Sequence, residues 1–429
     1  MLTMSVINFL ITQVMSDAGV LFGLITLVGL LFLRRPVEEV IMGTVKAVIG
    51  FLILLAGVGL LQEATNPISA WVAKLLGVKG ILPQGLMAMG IMMSSKYGGE
   101  VALAILLGFI LNLILARVTP LKSVGITGHL LANWAAWVVA ILTALHMSPT
   151  AVVIIASILS GLHYWLATAI THYFMKRNER LTSEWALYLP DSIGVAVASW
   201  IGKIAGNPEK RCADIKVSKR MEWLRDSIVG MAVLAAILWT VLGLAVGREA
   251  VEAVSNGKNW VLFSIFSGFK FAGGLAVLIY GVRMLLGELV PAFNGIAKTL
   301  IPGAIAGLDY PTVFQFAPQA VFIGFIFNLL GGIAATLVMI ALKFPVVVIP
   351  SVWTNFWMGA LTGVFADAYG GRRGTIIATF IIGFLVPFGW SLGYPLTGPL
   401  SSSGLISDYT DVSIGSIILY LLRKVFFVH

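Results

Sequence analysis

Apolar runs of about 20 residues recur along this chain, and they constrain its fold more than any other feature. With no water in hydrocarbon to satisfy backbone amides, a spanning chain forms either helices or a closed barrel, and about 20 residues is the length of a spanning helix. Barrel strands would be short and alternating, so long unbroken runs mean helices. Charged residues make up 11% of the 429, against roughly 25% in an ordinary soluble domain. A soluble globular enzyme is thereby excluded.

The runs predict an all-α polytopic membrane protein with eleven spans at about 18–33, 39–61, 99–117, 123–146, 150–171, 226–247, 260–286, 317–340, 344–366, 374–395 and 412–428. Three stretches are left over. Residues 62–98 and 287–316 carry Pro67, Pro83, Pro291 and Pro302 among many glycines, apolar yet too broken for a single crossing, and read as re-entrant hairpins. The third, 172–225, begins and ends polar around an apolar middle, Leu189–Gly202, expected to tuck against the membrane domain. The expected organisation is a first repeat over 1–171, this loop over 172–225, a second repeat over 226–395 and a C-terminal helix over 396–429.

The net charge of +9 could suggest nucleic acid, but membrane proteins gather Lys and Arg on their cytoplasmic face. Nineteen of the 28 lie on the face carrying 172–225 and the C-terminus, and six on the other. The positive-inside rule therefore places the C-terminus in the cytoplasm and the N-terminus outside, with no nucleic-acid partner. The first ten residues lack a basic n-region, so the first helix is expected to stay in the mature protein. The single cysteine, Cys212, permits neither an intrachain disulfide nor a Cys-rich metal site.

Residues 57–81 repeat in 281–305, a shift of 224. Identity falls at Gly57/Gly281, Val58/Val282, Leu61/Leu285, Pro67/Pro291, Ala73/Ala297, Lys74/Lys298, Leu76/Leu300 and Ile81/Ile305. Five crossings separate the two copies, an odd number, so they have opposite membrane orientation. Inverted repeats with broken segments at matching positions point to a transporter that binds its substrate near the midplane, between two hairpins.

Ionisable groups at membrane depth are functional candidates by default: Asp17, Lys46, His129, His163, Lys270, Arg283, Glu288, Asp309 and Asp367. Asp309, in LIPGAIAGLDYP, can accept hydrogen bonds from a polyhydroxylated ligand, or cap the helix after Pro311. The shift of 224 gives it Gly85 as mate, so one hairpin offers charge and the other close backbone approach. His129 and Asn133, four apart on one helix face, offer donors and acceptors to ligand oxygens, or to a neighbouring helix. Arg283 and Glu288 are expected to neutralise each other, His163 to pack, and Cys212 to be incidental. There is no GxxxxGK[ST] loop, HExxH pair or GxSxG elbow, so no catalytic residue, metal site or cofactor is expected in this chain.

The stretches GVRMLLGELVPAFNGIAKTLIPGA (281–304), FAPQAVFIGF (316–325), KAVIGFLILLAGVGLL (46–61), TGH (127–129), ASWI (198–201) and GVFADAYGG (363–371) resemble the membrane (IIC) component of the L-ascorbate-type phosphoenolpyruvate-dependent phosphotransferase system. The resemblance implies a homodimeric bacterial inner-membrane permease with eleven helices in two inverted five-helix repeats with hairpins. It also implies a core that carries the substrate across and cytoplasmic IIA and IIB proteins, the latter phosphorylating the sugar from a phosphocysteine. The family's ligand-contacting histidine and aspartate fall on His129 and Asp309.

Elsewhere the chain departs from the family. Asn133 stands where the family has glutamine, Val195 and Ala196 replace a His-Gln pair after Ser192-Ile193-Gly194, and Leu86 takes a tyrosine position. Lost hydrogen-bond partners alter specificity more than fold, which leaves L-ascorbate, a related acid, a lactone and a pentose-like ligand open. The expected substrate-binding set is His129, Asn133 and Asp309 with backbone at Gly85 and Gly194. The competing expectation is an ion-coupled symporter of a polar organic substrate, with Asp17, Asp367 or Asp309 as coupling group.

Overall fold

A chain with few polar side chains must pair its backbone within its own helices, and helix dominates the computed structural model, which describes residues 18–76, 80–215, 227–299, 301–344 and 346–426. Asp17 lies outside the described residues. The elements are α1 (Ala18–Phe32), α2 (Val37–Leu76), β1 (Leu82–Pro83), α3 (Gly85–Ser94), α4 (Gly98–Val118), β2 (Ser123–Gly125), α5 (Gly128–Ala144) and α6 (Pro149–Met175). There follow β3 (Ala186–Leu187), α7 (Ser192–Ala205), α8 (Ser227–Val246), α9 (Arg248–Glu252), α10 (Trp260–Thr299), β4 (Ile305–Leu308) and α11 (Pro311–Phe314). The chain ends with α12 (Pro318–Ala341), α13 (Val352–Gly393), β5 (Leu405–Ile406) and α14 (Thr410–Phe426).

Among the described residues, seven helices are long and apolar enough to cross a membrane: α2, α4, α6, α8, α10, α12 and α13. The expected spans 344–366 and 374–395 meet in the single run α13, bent at Gly371, whose φ of 58° requires glycine. The expected span 123–146 yields a shorter helix, because Ser123–Gly125 is strand β2. The stretches 62–98 and 287–316, expected as hairpins, begin instead as continuations of the preceding helices. α2 runs through Pro67 to Leu76, and α10 through Pro291 to Thr299. One proline removes one backbone bond, whereas ending the helix there would strand several polar groups at membrane depth.

α2 and α10 cross in close backbone contact. A methyl placed on Gly50 would strike the backbone of Leu285, and one on Gly57 that of Leu278. Conversely, Gly274 abuts Leu61 and Gly281 abuts Leu54. One index rises as the other falls, so the helices run antiparallel, and every contact maps onto another under the shift of 224. Two ion pairs flank the crossing, Lys46 Nζ to Glu288 at 3.7 Å and Lys270 Nζ to Glu63 at 2.8 Å. Lys46 and Lys270 are themselves 224 apart. The expected Arg283–Glu288 neutralisation is therefore corrected: Glu288 lies across the crossing, against Lys46.

Short strands take the place of helix where the chain turns back. β4 pairs in parallel with β2 on one side and β3 on the other, and β1 pairs in parallel with β5 and, through Ile81, with Val348. Each strand end delivers the chain to a helix start: β1 into α3, β2 into α5, β3 towards α7, β4 into α11 and β5 towards α14.

The apolar middle of 172–225 forms α7, which lies on α13 with Gly202 against Ala366. Below it, Asp367 accepts the Cys212 N–H at 2.7 Å and the Arg211 Nε–H at 3.1 Å. Its carboxylate thus ties the loop to α13. Cys212 is buried, and burial, with Asp367 beside it, pushes its thiol well above the usual range. A thiol held protonated is a poor nucleophile.

Candidate functional site

A cavity of about 360 Å³ lies between the apolar face of α2 and a floor made of helix starts. Phe51, Leu54, Leu55 and Val58 of α2 form the wall. Leu86 of α3, His129 of α5, Asp191 before α7, Pro311 of α11, Thr354 of α13 and Asp408 before α14 come from the floor. The first turn of a helix leaves backbone N–H groups without intrahelical acceptors, so a place where several helices start is rich in donors. Carboxylates are the natural acceptors there.

The chain supplies four of them. Asp408 accepts the Gly85 N–H at 2.8 Å and the Thr354 hydroxyl at 2.7 Å. Asp191 accepts the Thr410 N–H at 2.5 Å and the Tyr310 hydroxyl. Asp411, one residue into α14, accepts the N–H of Ser192 at 3.2 Å and of Ile193 at 2.8 Å. α7 and α14 thus meet start to start, each capped by a carboxylate from just before or within the other. Asp309 accepts the Tyr310 N–H at 2.7 Å, and its other oxygen faces His129 Nε2 at 3.6 Å, too far for a direct hydrogen bond.

Of the residues expected at the site, His129 and Asp309 line the cavity together. The other three sit one layer behind it. The Gly85 N–H is taken by Asp408, and the Gly194 N–H by the Thr410 hydroxyl at 3.1 Å. Asn133 is buried beside Gly85, its Oδ1 accepting the Ser407 hydroxyl at 3.3 Å, while its Nδ2 is buried without a hydrogen-bond partner. His163, expected only to pack, stacks on Trp134 at 3.6 Å between ring centres and binds Asp411 at 3.1 Å. Asp191, Asp408, Tyr310 and Tyr409 were missed. The signal for Asp191, Asp408 and Tyr409 was an aspartate just ahead of a helical run, in PDSIG and SDYTD, while Tyr310 stood directly beside Asp309.

Trp353 and Trp357, with ring centres 5.4 Å apart, give the cavity broad apolar faces beside the carboxylates. Carboxylates and an imidazole next to indole faces suit a small ligand with many hydroxyls on a carbon skeleton. Among the described residues no group of three or more His, Cys, Asp or Glu is placed to hold a metal ion.

Residues 13–411 match the family described as EIIC-GAT, PTS system sugar-specific permease component. The chain is similar to the protein named "Ascorbate-specific PTS system EIIC component" of Mycoplasma pneumoniae (strain ATCC 29342 / M129 / Subtype 1), at 26% identity over 86% of this chain. It spans 64% of that relative's length.

Proposed function

This chain belongs to the family of PTS sugar-specific permease components, and we propose that it is a IIC permease which binds L-ascorbate or a related sugar-like molecule in the cavity between α2 and the helix starts. His129 and Asp309 hold the substrate, with Asn133 and the backbone at Gly85 and Gly194 fixing the floor behind them. The observation that carries this reading is the approach of His129 to Asp309, 3.6 Å apart, in a cavity floored by helix starts.

Several features support a permease built from two inverted five-helix repeats with eleven crossings. The antiparallel α2–α10 glycine contacts map onto one another under the shift of 224, and the two lysines of the flanking ion pairs are 224 apart. α4 and α12 keep the same offset, and α5 and α6 correspond to the two halves of α13 on either side of Gly371. The N-terminus lies outside and the C-terminus in the cytoplasm of a bacterial inner membrane. Two copies form a homodimer, and the core moves to present substrate to a phosphorylated IIB protein recharged by IIA. Phosphorylation drives transport because the charged product no longer fits the outward route. No phosphoryl group is carried on this chain, in keeping with a buried, protonated Cys212.

Asp309→Asn is expected to lower substrate uptake at least tenfold at normal expression; unchanged uptake would remove Asp309 from the site. Uptake in a host lacking the general phosphotransferase proteins separates the two transporter classes. Loss of accumulation is expected, and full accumulation would favour an ion-coupled symporter.

A further inference from the structure

Asp191, Asp408 and Tyr409 line the cavity, and each stands just ahead of a helix, α7 after Asp191 and α14 after Tyr409. The starts of these two helices meet in a dense junction. The Asp411 N–H donates to the Pro190 carbonyl at 2.9 Å, the Thr410 N–H to Asp191 at 2.5 Å, and the Gly194 N–H to the Thr410 hydroxyl at 3.1 Å. Asp411 in turn accepts the N–H groups of Ser192 and Ile193 and, at 2.8 Å, the Ser192 hydroxyl. Each helix start carries about half a positive charge, so two of them stay together only with carboxylates between them. The register of this junction sets where three lining side chains stand relative to one another.

Side chains from elsewhere brace the junction on both sides. Tyr310, itself a lining residue, donates its hydroxyl to Asp191. His163, near the middle of α6, does not line the cavity; its Nε2 stands 3.1 Å from Asp411 and its Nδ1 3.3 Å from the Tyr188 hydroxyl. The ring lies on Trp134 of α5 with the two planes 9° apart. Packing alone does not call for this residue, since an apolar side chain would cover Trp134 without carrying ionisable nitrogens to membrane depth. The Asp411 oxygen that faces His163, Oδ2, is the same one that accepts the Ser192 N–H and hydroxyl.

We infer that His163 is a positioning residue for substrate binding: through Asp411 it fixes the start of α7 against the start of α14, and so holds Asp191, Asp408 and Tyr409 in the arrangement that meets the substrate. The inference rests on the permease reading above and deepens it. Without His163, Asp411 keeps its backbone donors, so both helices still form. Its carboxylate is then free to turn, and the two starts can shift by fractions of an ångström. Misplacement on that scale is felt as lost affinity, because several groups must meet the ligand at once.

Two amide substitutions isolate the contact, since glutamine places its side-chain nitrogen near the position of Nε2 and asparagine near that of Nδ1. Both remove the ring from Trp134, but only His163→Gln keeps a donor on Asp411. In uptake of radiolabelled L-ascorbate by cells carrying the phosphotransferase proteins, His163→Asn is expected to raise KM about fivefold or more, with the maximal rate per folded transporter within about twofold of wild type. His163→Gln is expected to keep KM within about twofold of wild type. Equal KM changes in the two variants, or none in either, overturn the inference; a merely structural role would lower the amount of folded protein and leave KM alone. His163→Met, which reaches neither partner, takes the place of His163→Asn if that variant does not fold and carries the same expectation. Wild-type protein that takes up no L-ascorbate counts against the substrate reading alone. Hydrogen exchange of the purified full-length protein then decides the positioning role: His163→Asn should speed exchange over 189–194 and 408–411 and His163→Gln should not, whereas identical exchange in both overturns it.

Discussion

The α2–α10 crossing and the floor of helix starts face each other across one cavity, and they are built on opposite principles. In the crossing, residues 224 apart are the same: Lys46/Lys270, Gly50/Gly274, Leu54/Leu278, Gly57/Gly281 and Leu61/Leu285. In the floor they differ. His129 has Trp353 as its counterpart, Asn133 has Trp357, and Asp309 has Gly85. Two helices that touch backbone to backbone about a near-twofold axis need the same small residue on both sides, because either partner's methyl would push the other away. A floor that contacts an asymmetric ligand has no such requirement. The crossing is sensitive to added volume and indifferent to charge at its rim; the floor is sensitive to lost charge and tolerant of volume at its lip.

The largest effect is expected in the floor. Asp411→Ala leaves the Ser192 and Ile193 N–H groups and His163 without their buried acceptor, and should cost about 3 kcal/mol or more, read as loss of folded protein or a large fall in melting temperature. Next comes Gly57→Leu in the crossing, whose side chain meets the backbone of Leu278; about 2–3 kcal/mol is expected by the same measurement. If Gly57→Leu were neutral, the crossing would not be the close-packed element described here. Leu86→Tyr adds volume at the exposed lip of the cavity and should shift stability by no more than about 0.5 kcal/mol while changing which ligands bind. The smallest effect is expected for Lys46→Gln. Its ion pair at the rim is half exposed, so the melting temperature should stay within about 2 °C of wild type. A Lys46→Gln protein as damaged as Gly57→Leu would erase the contrast between the two regions.

Much of the scaffold was legible in the sequence. Apolar run length placed α2, α4, α6, α8, α10 and α12 to within a few residues at most of their ends, and the shared Pro-containing segment singled out the pair that crosses. The continuation of α2 past Pro67 was not legible, because a proline marks a lost hydrogen bond without saying whether the helix resumes beyond it. At the site, His129 and Asp309 stood out as rare charges in an apolar setting. Asp191 and Asp408 did not, since an aspartate ahead of a helix reads equally as an ordinary cap, and only the meeting of distant helix starts turns those caps towards one cavity.

The sequence by itself determined that this chain is helical and membrane-spanning, because backbone pairing in hydrocarbon allows few alternatives and run length reports it directly. Tertiary structure alone decided which polar groups meet. Asp408 reaches Gly85 across 323 residues of chain, and Asp411 reaches Ser192 across 219. No local pattern encodes an acceptor that far away, and it is those long-range pairings that gather carboxylates from distant parts of the chain around one cavity.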